Sequence, residues 1–168
     1  MCGVLGLILA KDSNKMGQTA CQLLRMLEYR GYDSTGAVIQ DEAGNITLKK
    51  DVGAPSKVVY EMGVDKLVGQ IFCGQVRWAT FGVVTRENAQ PHDVKCHTHI
   101  YGAHNGNITN CMQLKEWLIS QGHKVVSNND GEMLVHTVEH FFAEELRYKD
   151  ENDLQVRYTA MKNAVVRA

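Results

Sequence analysis

The chain opens Met1-Cys2-Gly3-Val4-Leu5-Gly6 and stays largely apolar through Ala10. A short run rich in Val, Leu and Ile, punctuated by glycine, reads as a buried strand over 3–10. A strand that begins at the third residue ties the amino terminus into a sheet. Whatever Cys2 does is therefore done at a strand end. A second residue as small as cysteine permits removal of the initiator methionine, which would leave a thiol and a free α-amine on one residue. An α-amine titrates at roughly 7.7–8.0 and can serve as a base near neutral pH. Nucleophiles activated by their own amine are an established variant of nucleophile–base catalysis. By position alone, the commoner reading is a small apolar cysteine that starts a strand.

Composition narrows the classes. With 168 residues, 44% hydrophobic and 22% charged, the chain fits one ordinary globular domain spanning 1–168. The net charge of -1 gives no electrostatic footing for nucleic acid or an anionic membrane surface, so neither is expected as a partner. The five cysteines (Cys2, Cys21, Cys73, Cys96, Cys111) are odd in number and contain no C-x-x-C pair. That argues against a disulfide framework and for a reducing, cytoplasmic setting. The opening has no basic segment and too short an apolar run for a signal peptide or a membrane span. No repeat or low-complexity tract divides the chain.

After the first strand, Ser13 or Asn14 is placed to cap a helix in which Met16, Ala20, Leu23, Leu24 and Leu27 share one face. Gly31 stands where a left-handed C-cap would end it. The segments 35–40 and 46–50 flank Asp41-Glu42-Ala43-Gly44-Asn45, a hairpin signal. Pro55 suits the first turn of a short helix to Met62. The stretch 69–77 reads as a strand, 80–91 as a polar loop, and 97–104 as a strand that breaks at Asn105-Gly106-Asn107. Amphipathic helices follow around Leu114, Trp117 and Leu118, then from Asp130 through Leu146, then over 154–166. Strands followed by a block of helices predict an α+β layered fold.

Several segments could carry chemistry, each with a plainer alternative. Arg77-Trp78-Ala79-Thr80 lies where a strand gives way to a loop, and an arginine there can hold a carboxylate bidentately. It could equally be a surface Arg beside a core Trp. In His104-Asn105-Gly106, the Asn amide and a Gly N–H would make a two-donor oxyanion hole. The pair is also an ordinary Asn-Gly turn. Asp130 could pair with an ammonium group or act as a helix cap. Seven histidines raise a metal question, with His136 and His140 four apart and His92, Cys96, His97 and His99 close in sequence. Neither group completes a C-x-x-C or H-E-x-x-H pattern, so solvated or capping histidines and no metal are expected.

Together the segments Cys2-Gly3-Val4-Leu5-Gly6, Leu27-Glu28-Tyr29-Arg30-Gly31-Tyr32-Asp33-Ser34-Thr35-Gly36, Arg77-Trp78-Ala79-Thr80, Asn88-Ala89-Gln90-Pro91-His92, His104-Asn105-Gly106 and Asp130-Gly131-Glu132 form one ordered pattern. The chain resembles the glutaminase domain of class II, N-terminal-nucleophile glutamine amidotransferases, and within them the glutamine–fructose-6-phosphate aminotransferase family. The resemblance implies a four-layer α/β/β/α sandwich with two antiparallel sheets, here incomplete at its C-terminal end, and no cofactor. Its substrate would be L-glutamine. Cys2 would be the nucleophile, and Asn105 and the Gly106 N–H the oxyanion hole. Arg77, Trp78 and Thr80 would bind the substrate carboxylate, and Asp130 its ammonium. Arg30, Asp33 and His92 would support these groups from behind, with Arg30 and Asp33 fixing the N-terminus. Ammonia would pass to fructose 6-phosphate on sugar-phosphate isomerase domains that lie outside this chain, in a full-length homo-oligomer. The alternatives are an amidophosphoribosyltransferase-type domain and a non-catalytic glutamine-binding module. Gln75 and Phe81 stand where the aminotransferases usually have His, and Asn129 and Gly131 where they usually have Thr.

Overall fold

The computed structural model describes residues 2–79 and 82–168. Thr80 and Phe81, both singled out by sequence, lie outside the described residues, as does Met1. The strands are β1 (Gly3–Ser13), β2 (Ser34–Gln40), β3 (Ile46–Val52) and β4 (Gly69–Arg77), which form one antiparallel sheet in the order β1-β4-β2-β3. A second antiparallel pair is β5 (His92–Lys95) with β6 (His99–Gly102). The α-helices are α1 (Met16–Met26), α2 (Pro55–Glu61), α3 (Cys111–Ser120), α4 (Asp130–Leu146) and α5 (Leu154–Arg167). No described helix is long and apolar enough to cross a membrane.

Four layers follow from how these elements bury their apolar faces. Met16, Ala20, Cys21 and Leu24 of α1 pack with Ala37, Ile39, Phe72 and Val76 of β2 and β4, so α1 and α2 cover one side of the larger sheet. On the far side α4 lies against β5 and β6, with α3 and α5 beside it. The two sheets meet where Tyr101 Oη donates to Gln40 Oε1 at 2.8 Å and Lys50 Nζ donates to the Ala89 carbonyl at 2.6 Å. Covered on both faces, β2 is buried without interruption from Ser34 to Ile39, as a sandwiched strand must be. The α+β architecture with antiparallel sheets is the one the sequence predicts.

The structure corrects several local expectations. β1 is not uniformly buried: Leu5, Leu7 and Leu9 pack toward α1, whereas Val4 and Ile8 are 40% and 76% exposed. An edge strand with one face on the core alternates in this way. Neither Ser13 nor Asn14 caps α1, although Ser13 Oγ accepts from the Lys15 N–H. α1 stops at Met26, a 3-10 turn covers Glu28–Arg30, and Gly31 is extended at φ 175, not left-handed. Gly31 is there for space, because a Cβ would overlap the Arg77 carbonyl carbon. Sequence patterning missed β5 and lengthened β6, since a four-residue strand offers too few alternations to read. α4 begins at Asp130, but its cap is Asn129, whose side chain accepts from the Gly131 N–H.

One close approach holds the sheets at their spacing. Gly36 on β2 faces the Gln90 carbonyl so tightly that a Cβ would overlap its oxygen. Gly36→Ala should therefore lower unfolding free energy by about 1–3 kcal/mol in urea titration, the usual scale for overpacking. Gly44→Asn, at a hairpin position with φ 85 and open space around it, should change it little.

His92 is 3% exposed, with Nε2 3.1 Å from Asn129 Oδ1. Burial, helped by the Lys50 ammonium, holds its pKa down to about 4 against an ordinary 6.5. The unfolded chain then binds one more proton than the folded chain between those values, so stability is lost as pH falls from 6.5 toward 4. In urea titrations at stepped pH, the wild type should lose stability more steeply than His92→Gln across that window. The difference in slope should approach about 1.4 kcal/mol per pH unit.

Candidate active site

The pairing of β1 with β4 sets Gly3 opposite Val76, and the pairing of β2 with β4 sets Ser34 opposite Arg77. Cys2, one residue before β1, consequently lies beside the end of β4. Its Sγ accepts from the Trp78 N–H at 3.4 Å and donates to the Trp78 carbonyl at 3.6 Å. Asn105 Nδ2 donates to the Cys2 carbonyl at 3.0 Å. Residues separated by more than 100 positions thus meet at the chain's second residue.

The β4 end is held from below. Asp33 Oδ2 accepts from the Ala79 N–H at 2.7 Å, and the Asp33 N–H donates to the Arg77 carbonyl at 3.0 Å. Asp33 therefore fixes the backbone that touches Cys2, and among the described residues it acts on the N-terminus through that backbone. Arg30 turns aside: its Nε donates to Tyr29 Oη at 3.2 Å and its guanidinium sits over the Tyr29 ring. Arg77 is 3% exposed, with Nη1 3.4 Å from the Val83 carbonyl. The Trp78 ring packs at 5.4 Å on Tyr32.

The facing wall comes from the β6 end and the start of α4. Asp130 Oδ2 accepts from the Ile108 N–H at 3.0 Å and stands 3.8 Å from His104 Nδ1. Gln90 grips His104 on both sides, accepting from its N–H at 2.6 Å and donating to its carbonyl at 3.2 Å. That clamp sets the position of Asn105 and Gly106. Gly131 leaves room for it, since a Cβ there would sit 2.7 Å from Gln90 Oε1. Asn129, in turn, supplies both the α4 cap and the His92 contact. Sequence reasoning gave Gln90 no role of its own, because its partners are backbone atoms of a distant loop.

Cys2, Arg77, Trp78, Gly106 and Asp130 share the wall of one small cavity of about 30 Å³, closed further by Gln90 and His104. The pocket offers a thiol, backbone and amide N–H donors, a guanidinium and a carboxylate within one cleft. Such a set can attack a carbonyl carbon, hold an oxyanion and grip a zwitterion. A larger hollow of about 560 Å³ is lined by Gln22, Arg25, Met26, Glu28 and Ser56 and has neither a thiol nor an amine base, the Ser56 hydroxyl being held by the Glu28 carboxylate at 3.0 Å. The cleft with the chemistry is the small one.

Away from this cleft, the histidines depart from the solvated reading. His99 does pair at the surface with Asp93 at 2.6 Å. His123, His136 and His140, however, are buried at 4%, 2% and 9% exposure and touch one another, with Cys96 alongside. Burial, chiefly desolvation, holds His123 down to about 4, so it is a neutral imidazole. The four-residue spacing of His136 and His140 did mark one helix face; that this face points inward was not visible in sequence.

A profile described as the glutamine amidotransferase domain matches residues 76–151. The chain is 38% identical over 141 residues to glutamine–fructose-6-phosphate aminotransferase (isomerizing) of Sulfurisphaera tokodaii, covering 84% of this chain and 24% of that protein. It is 38% identical over 165 residues to the protein of the same name from Methanococcus maripaludis, covering 98% of this chain and 26% of that one. The chain thus spans about a quarter of the length of these curated relatives. Among solved structures, it superposes on the glutamine phosphoribosylpyrophosphate amidotransferase from B. subtilis with a TM-score of 0.72 at 26% identity, covering 99% of this chain and 32% of that one. A structure described as the allosteric regulatory enzyme of purine biosynthesis gives 0.73 at 26% identity, with 99% and 33% coverage. The chain belongs to the N-terminal-nucleophile glutamine amidotransferases.

Proposed function

We propose that this chain, over 1–168, is a glutaminase domain that hydrolyses L-glutamine through a Cys2 thioester. The observation that carries the reading is the convergence of Cys2, Arg77, Trp78, Gly106 and Asp130 on one cleft, with Asn105 bonded to Cys2. Removal of Met1 frees the α-amine of Cys2 as base. That amine, directly or through a water, takes the thiol proton as Sγ attacks the side-chain amide carbon of glutamine. The carbonyl oxygen becomes an oxyanion held by Asn105 Nδ2 and the Gly106 N–H. An Asn amide carries two N–H donors, so its bond to the Cys2 carbonyl leaves a second for the oxyanion. The protonated amine then gives its proton to the departing nitrogen. The C–N bond breaks, ammonia leaves and a γ-glutamyl thioester remains. Water adds to the thioester, glutamate leaves and the thiol is restored.

Arg77, already at the cleft, clamps the α-carboxylate with Trp78 beside it, and Asp130 receives the α-ammonium. Asp33 and His92 act behind them by fixing the Arg77 carbonyl and Ala79 N–H on either side of Trp78 and the Asn129 cap. In the full-length protein the ammonia passes to fructose 6-phosphate on sugar-phosphate isomerase domains, giving glucosamine 6-phosphate in a cytoplasmic homo-oligomer. Relatives at 37–40% identity bear that acceptor in their name, which favours it over phosphoribosyl pyrophosphate, named in a structure only 26% identical.

Intact-mass measurement should find the chain without Met1 and labelled once, at Cys2, by an electrophilic glutamine analogue. Cys2→Ala should show neither labelling nor glutamate release while its circular dichroism stays native. Retained glutaminase activity in that variant would overturn the assignment, and an unprocessed, unlabelled wild type that still binds glutamine would favour a non-catalytic module. Asn105→Ala should lower kcat about 10²- to 10³-fold with KM little changed, as removal of one oxyanion donor does.

A further inference from the structure

The histidine cluster behind the cleft makes a second site, independent of the glutaminase reading. We propose that Cys96, His123 and His136 bind one Zn²⁺ ion. Cys96 lies in the β5–β6 turn, His123 follows α3, and His136 is on the inner face of α4. One ligand atom from each, the thiol sulfur and an imidazole nitrogen of either histidine, lies within 4.8 Å of the others. His123 Nδ1 and His136 Nδ1 are 3.1 Å apart, and Cys96 Sγ is 3.7 Å from His136 Nδ1. Ligands at ordinary Zn–N and Zn–S lengths on a tetrahedral ion stand about 3.3 Å apart for two nitrogens and about 3.6 Å for nitrogen and sulfur. Two of the three pairs are already spaced as such an ion would space them, and the third lies within 4.8 Å.

Proton placement points the same way. Glu132 Oε1 lies 3.6 Å from His136 Nε2, which favours the proton on that nitrogen and leaves a lone pair on Nδ1. Glu144 Oε1, 3.6 Å from His140 Nε2, leaves a lone pair on His140 Nδ1 in the same manner. That atom is 3.1 Å from His123 Nε2, so the His123 tautomer that donates there has a lone pair on Nδ1, the nitrogen facing both His136 Nδ1 and Glu139 Oε2. Two imidazole lone pairs then face each other at 3.1 Å beside a thiol. Glu139 adds to this: it is 0% exposed, and its Oε1 accepts from the N–H groups of His97 and Thr98. Its Oε2 has no hydrogen-bond partner and lies 3.4 Å from His123 Nδ1.

A buried pocket walled by lone pairs and an unpaired carboxylate oxygen is the environment a dication neutralises. Glu132 behind His136 is the carboxylate–histidine arrangement that orients a metal-bound imidazole. The Lys124 N–H donates to Cys96 Sγ at 3.4 Å. A four-coordinate ion would complete its shell with Glu139 Oε2 or a water. His97, His123 and His140 form a second close group, but His97 is exposed and that group offers no thiolate. The ion would tie the β5–β6 turn, the segment after α3 and α4 together, and so brace the helix whose first residue is Asp130.

The test uses the untagged chain, stripped with a chelator, equilibrated with Zn²⁺ alone, desalted and analysed for metal. One zinc per chain is expected. Titration with Co²⁺ alone should give the intense visible absorption of a tetrahedral ion together with a thiolate-to-cobalt charge-transfer band. Cys96→Ser should lose that band, His136→Gln should lose stoichiometric zinc, and Glu132→Gln should bind Zn²⁺ about 10- to 100-fold more weakly. Cys2→Ala should retain the metal and the spectrum. Substoichiometric zinc on natively folded wild type, or a cobalt spectrum unchanged in Cys96→Ser, would overturn the proposal. Should the substituted chains fail to fold, wild-type alkylation decides. Peptide mass must then show that Zn²⁺ protects Cys96 from iodoacetamide; equal labelling with and without the ion overturns the site.

Discussion

The structure depends first on the antiparallel ladder between β1 and β4. It runs from Gly3 opposite Val76 to Ile8 opposite Ile71, and its register decides which face each β1 residue takes. A slip of one residue would turn Leu5, Leu7 and Leu9 out of the core and carry Cys2 away from the Trp78 N–H. The same three leucines that bury against α1 therefore place the thiol. β4 is in turn central, flanked by β1 and β2, and Asp33 locks its end from the neighbouring turn. The proposed nucleophile is thus aimed by sheet hydrogen bonds rather than by a loop, which is how a reacting atom is held most tightly.

The facing wall is built differently. Asn105 and Gly106 follow a four-residue strand, and Asp130 starts a helix in another part of the chain. Gln90 couples the two. Its amide uses its oxygen on the His104 N–H and its nitrogen on the His104 carbonyl, which also fixes which end of the amide is which. Gly131 admits that amide against the first turn of α4. One buried side chain consequently sets both the Asn-Gly turn and its distance from Asp130. The cleft thus takes one wall from the end of a sheet and the other from a turn and the first residue of a helix.

What was legible in the sequence divides along the same line. The apolar periodicity of α1 and α4 and the limits of β4 were readable because each element buries a repeating face. The cleft residues were readable as an ordered set of motifs: Cys2, Arg77, Trp78, Gly106 and Asp130 do meet. Contacts made through backbone atoms were not readable. Nothing in the types of Asp33 and Gln90 says that they hold Ala79 and His104, and Gly31 looked like a helix cap when it is a point of close chain approach. β5 was invisible because its pattern, His92-Asp93-Val94-Lys95, has one apolar residue.

The inner face of α4 was hidden for another reason. Leu134, Val138, Phe141, Phe142 and Leu146 describe an amphipathic helix whose other side should meet water. In the structure that other side is buried too: Glu132, His136, Glu139 and His140 point into the protein, while Val138, Phe141, Phe142 and Leu146 meet α5 and β6. A helix covered on two sides would be more stable with apolar residues on both, because buried ionisable groups cost free energy unless they are paired. Glu132 recovers part of that cost from the His136 imidazole and from the Ser127 and Val126 groups that donate to it, which together hold its carboxyl down to about 2 despite burial. Glu139 recovers it through one oxygen alone, which accepts from the His97 and Thr98 N–H groups, while the other has no hydrogen-bond partner. A polar face kept inside at such expense is poorly explained by packing and well explained by something that binds there.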